Sequence, residues 1–130
     1  MKSRASAFAL ACAPPLDALT AERIERWRSA GLCVRLCVDA DEPLLVERYL
    51  ELGNGLHARG LLAPWDIALQ STLLLLDTAA DTELPLHWRG LCLDQVHRPL
   101  GVLAERADDD KRRRQFAALS WRLATLDFGA

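Results

Sequence analysis

The chain has four cysteines and three histidines, the side chains that most readily hold metals or attack carbonyl groups. Cys33 and Cys37 are four residues apart. On a helix they share one face, a turn apart, close enough to hold one metal ion. A tetrahedral site needs two more ligands, and Cys92, His57, His87 and His97 are the candidates. No second pair has ligand spacing, because Cys92 and His97 fall on different faces of a helix. Free cysteines are also among the most buried residues, so core thiols are the plainer reading. No cofactor is expected, and a metal held by Cys33, Cys37, Cys92, His87 and His97 stands as the alternative.

The segment from Leu84 to Pro99 is the densest in polar and aromatic groups. Its His87, Cys92 and Asp94 permit acid–base or nucleophilic chemistry in principle. Their spacing matches no catalytic signature, so no enzyme activity is expected. Asp94 and Arg98 form an i,i+4 pair, and local ion pairs that fix helix packing are the plainer reading. Four tryptophans, Trp27, Trp65, Trp88 and Trp121, suit a helical core. Trp and Arg also concentrate at binding hot spots. Trp65, Trp88, Arg89, Asp94, Arg98 and Trp121 are therefore the expected partner-binding residues. Trp121 is the best candidate for exposure, since it lies off the stripe of its helix, beside Ala117 and Ala124.

Composition limits what can position these groups. Leu occurs 26 times and Ala 20 times, against 12 Val, Ile and Thr together. Leu and Ala favour helix and β-branched residues favour strands, so an all-α fold follows. The 130 residues fit one domain that needs no disulfide staple. Reduced thiols in the cytoplasm are expected. Net charge is −2, with no pull towards nucleic acid. The run from Asp108 to Arg114 neutralises itself through i,i+4 pairs at a helix start. The longest uncharged apolar stretch, Ile67 to Leu76, is half of what spans a bilayer, so no membrane contact is expected. Fourteen Arg against two Lys suit a bacterial genome with GC-rich codons. Lys2 and Arg4 before the apolar run Ala5 to Ala13 look like a short signal peptide. We read residues 1–15 as an N-terminal arm and 16–130 as a single helical domain.

About five helices are predicted. The first runs from Leu16 to Val38, capped by Thr20, with Gly31 marking a close approach or a break. The second starts at Asp41-Glu-Pro43 and stops at Leu52 before Gly53-Asn54-Gly55. A loop or short turn covers His57 to Ala63. Pro64 opens the third, whose Leu73 to Leu76 run makes it the centre of the bundle. The fourth starts at Pro85 and is kinked at Pro99, or broken there into two helices. The last runs from Asp108-Asp109-Asp110 to about Asp127, burying Phe116, Leu119, Leu123 and Leu126.

Several stretches together resemble one family. They are Asp41-Glu-Pro-Leu-Leu-Val-Glu-Arg-Tyr-Leu50, Ala63-Pro-Trp-Asp66, Leu74-Leu-Leu-Asp-Thr-Ala79, Leu84-Pro-Leu-His-Trp-Arg89, Cys92-Leu-Asp94 and Arg98-Pro-Leu100. The pattern resembles the FagA family of small bacterial proteins, over roughly residues 35 to 125. These are encoded beside a fumarase and a manganese superoxide dismutase in operons switched on by iron limitation. Glu47, Trp65, Asp77, Trp88, Arg89, Cys92, Asp94, Arg98 and Cys37 match it, whereas Cys12 and Cys33 do not. The resemblance implies a cytoplasmic protein of the low-iron response, with no chemistry to carry over. The resulting expectation is a non-enzymatic interaction protein whose partner is a co-expressed enzyme or a second copy of itself.

Overall fold

The computed structural model describes residues 16–128, and among these every regular element is helical. The expected N-terminal arm, residues 1–15, lies outside them. The elements are α1 (Leu16–Arg35), α2 (Leu44–Ala58), α3 (Pro64–Ala80), α4 (Leu86–Gln95), α5 (His97–Arg106) and α6 (Asp110–Ala124). The predicted fourth helix is thus present as the broken pair α4 and α5. No described helix is long and apolar enough to cross a membrane.

Helix α3 packs against each of the other five, as its leucine run predicts. Leu75, Leu76, Thr72, Thr78 and Ala79 are buried on it, while Leu73 reaches the surface. Pro64 occupies its first turn, where a missing N–H costs nothing. The hydroxyl of Thr78 bonds back to the Leu74 carbonyl at 2.7 Å, which satisfies it inside the helix. Trp27 of α1 stacks on Tyr49 of α2, with ring centroids 5.7 Å apart. Gly31 marks the close approach between these two helices rather than a break. A β-carbon there would lie 2.8 Å from Tyr49 Cε1.

Several helix boundaries differ from expectation. Helix α1 ends at Arg35, not Val38, and Thr20 lies inside it rather than capping it. The Val38 amide donates to the Cys33 carbonyl and the Cys37 amide to the Val34 carbonyl, both at 3.1 Å. With Cys37 at φ 52°, these bonds make a left-handed Schellman end.

Helix α2 runs through Gly53-Asn54-Gly55 to Ala58, so the expected loop or turn from His57 to Ala63 is shortened to residues 59–63. Gly53 is there for proximity. A β-carbon on it would lie 2.9 Å from Ile67 Cγ2 and 3.1 Å from Trp27 Nε1. The stop comes at Gly60, at φ 68°, again with paired bonds from Leu61 to Leu56 and from Gly60 to His57. The helix starts after Pro43 without a side-chain cap, so Asp41 does not serve as one.

The break in the fourth helix falls at Val96, three residues before Pro99. Val96 keeps helical angles, so the chain bends there without a loop. Pro99 then sits in the first turn of α5, where its lack of an N–H is harmless.

Helix α6 starts as its acidic run predicts, with the Asp109 side chain accepting from the Arg112 amide at 2.7 Å. It ends at Ala124 rather than near Asp127. The Thr125 hydroxyl closes it by donating to the Trp121 carbonyl at 2.8 Å.

Candidate functional site

The polar segment on α4 folds mostly inward. Trp88 is fully buried, and its indole N–H donates to the Val34 carbonyl at the end of α1, at 2.9 Å. Arg89 is 4 % exposed, although it carries a charge. Its Nε donates to the Ala79 carbonyl, in the last turn of α3, at 2.8 Å. Its guanidinium also lies 5.1 Å from the centroid of the Phe128 ring. The negative end of the α3 dipole and an aromatic face thus compensate the buried cation. Arg35 adds a bond of 2.7 Å to Asp81 just past α3. This guanidinium holds the Asp81 carboxyl below its ordinary range, with help from the Glu83 backbone.

Trp65 is buried too, at the start of α3, with Arg112 stacked 4.8 Å from its ring centroid. Three of the six expected partner-binding residues, Trp65, Trp88 and Arg89, are therefore core residues that no partner can touch. Their correction has one cause: each lies at a helix end that neighbouring helices cover. Asp94, Arg98 and Trp121 stay exposed. Arg98 bonds Glu47 at 3.0 Å and Gln95 at 3.1 Å, in place of the expected pair with Asp94.

The expected metal ligands do not converge. Among the described residues, no three His, Cys, Asp or Glu side chains lie close enough to hold an ion. Cys33 and Cys37 lose their shared face because α1 stops at Arg35, between them. Burial, helped by Asp39 and Asp41, pushes the Cys37 thiol up. Burial, helped by Cys37, pushes Cys92 up to about 12. Both thiols are held protonated, the opposite of what a ligand or nucleophile needs. His97 is exposed at the start of α5. His87 is also exposed, and its Nε2 donates to the Ala40 carbonyl at 3.0 Å, away from the buried Cys92. His87, Asp94 and Cys92 therefore do not form a catalytic group.

What the structure does present is a helix face. Trp121 is 71 % exposed, whereas Trp27, Trp65 and Trp88 are at 5 % or below. Ala117, Ala118 and Ala124 are exposed around it on α6. Arg114 shares its stripe two turns earlier, roughly 10 Å along the axis. Lys111 and Arg114 take part in no ion pair among the described residues. Arg122 fastens the helix to α3 by a bond of 2.7 Å to Asp77. The acidic start contributes Asp108–Arg112 and Asp110–Arg113 pairs, the second at i,i+3 instead of i,i+4.

A second feature was not legible in the sequence. Helices α2, α3 and α5 enclose a cleft of about 190 Å³, whose lining includes Gly53, Asn54, His57, Ser71 and Arg98. Part of its lining is the stretch of α2 beyond Gly53, a glycine that the approach of Ile67 and Trp27 explains.

No family model, curated protein or solved structure matches this chain.

Proposed function

We propose that this chain is a small, non-enzymatic helical interaction protein of the FagA type. It acts in the bacterial cytoplasm under iron limitation and engages a partner protein through the outward face of α6. The observation that supports this reading is the exposure of Trp121 among Ala117, Ala118 and Ala124, while the other three tryptophans are buried. An indole left in water forgoes a large burial gain, which binding would recover. Alanines beside it let a second backbone approach closely, and the arginine two turns away adds directional charge. The complementary surface is an apolar pocket for one indole with a carboxylate roughly 10 Å from it.

The test mixes the chain at micromolar concentration with the fumarase and the manganese superoxide dismutase of a FagA-type operon and follows size exclusion. Co-elution with one enzyme is expected, lost in Trp121→Ala and weakened in Arg114→Glu. Absence of a complex with either enzyme would count heavily against this partnership. A complex indifferent to both substitutions would move the interface off α6.

A further inference from the structure

The cleft between α2, α3 and α5 has the size of one aromatic ring with a small substituent: about 190 Å³, where an apolar cavity of about 150 Å³ accepts benzene. Its walls are apolar at Leu50, Ile67 and Val102. Ser71 also lines it, at 2 % exposure, with its side chain bonded to Tyr49. Arg98 and His57 also line it, and among the described residues no carboxylate does. Arg98 reaches both Glu47 and Gln95 through the same nitrogen, Nη1. The rest of its donor fork has no partner among the described residues, and a planar carboxylate matches that fork in two parallel bonds. Glu47, bonded to one nitrogen, offsets the formal charge of Arg98, so the free edge of the fork suits a monoanion better than a phosphate dianion.

We propose that this cleft binds a compact aromatic monocarboxylate of benzoate size, its ring against Ile67 and Val102 and its carboxylate on the free edge of Arg98. The site involves other helices than the α6 face and stands or falls independently of it.

Benzoate titrated into the ¹⁵N-labelled full chain tests this. Saturable shifts are expected at Gly53, Asn54, Ala68 and Ser71, with a Kd on the order of 1 mM for so small a ligand. Benzyl alcohol, with the same ring and no charge, should bind about tenfold more weakly, and Arg98→Met should weaken benzoate by about as much. Val102→Phe fills the cleft and should abolish the shifts while the remaining spectrum stays native. Three results overturn the proposal: no saturation by about 20 mM, equal affinity for benzoate and benzyl alcohol, or shifts scattered over the surface. The comparison of the two ligands on the unaltered chain needs no variant to fold.

Discussion

The dipeptide Trp-Arg occurs three times, and two of its copies, Trp88-Arg89 on α4 and Trp121-Arg122 on α6, have opposite fates. On α4 both residues are buried, and each reaches a backbone carbonyl of another helix, Val34 for Trp88 and Ala79 for Arg89. On α6 the tryptophan stands in solvent, and the arginine makes an exposed bond to Asp77. The first pair closes two helix ends: Trp88 joins the Cys37 amide on the Val34 carbonyl, and Arg89 supplies a donor to the Ala79 carbonyl. The second closes nothing, because α6 lies at the edge of the bundle. The same two side chains are thus a buried clamp in one place and, in the other, an exposed tie to Asp77 beside a tryptophan in solvent.

Substitutions can break or sharpen that contrast. Trp88→Ala should cost the most, about 3–5 kcal/mol in urea unfolding, since it opens a cavity and removes the donor to Val34. A loss under about 1 kcal/mol would mean the indole is not buried as described. Arg89→Met should cost about 1–3 kcal/mol by orphaning the Ala79 carbonyl. An unchanged urea midpoint would show that the clamp resides in Trp88 alone.

The two Schellman ends give a smaller and opposite-signed pair. Gly60→Ala should destabilise by about 1 kcal/mol, whereas Cys37→Gly should stabilise by a similar amount. Both residues are left-handed, but only Gly60 adopts that conformation without penalty. A destabilised Cys37→Gly would mean that thiol packing outweighs backbone strain at the site Trp88 clamps.

Acid reports on the neighbouring Arg35–Asp81 bond. The folded Asp81 carboxyl titrates below its unfolded value, so its contribution is present above about pH 4 and lost as pH falls further. Arg35→Met should therefore flatten the acid limb of the stability curve and leave its shape at neutral pH unchanged. An unaltered acid limb would show that the bond does not bias the carboxyl. Trp121→Ala should have the least effect on stability, within about 0.5 kcal/mol. A cost of about 2 kcal/mol or more would place that ring in the core and remove the basis for a binding face.

Much of the fold was legible along the chain. The Leu and Ala excess, the start at Pro64, the acidic cap of α6 and the leucine run of α3 all act through local propensity or helical period. The misreadings cluster where one residue type serves two purposes. Gly53 resembled a terminator but permits a close approach. Pro99 marked a real break but sits beyond it. Cys33 and Cys37 had helical spacing, yet the helix ended between them. At the candidate site, the position of Trp121 off the buried stripe of α6 was a sufficient signal for its exposure. Trp88 likewise carried a signal of burial, on one stripe with Leu91, Cys92 and Val96, whereas nothing comparable separates Trp65 from an exposed tryptophan.

Helix class, number and the central place of α3 were thus decided by residue order, because propensity and periodicity act over a few turns of one chain. Which Trp-Arg pair is buried, which carbonyls it caps and where a cleft opens were decided only when the helices packed. Burial is a property of what lies opposite a side chain, and the helix opposite Trp88 comes from residues more than fifty positions away.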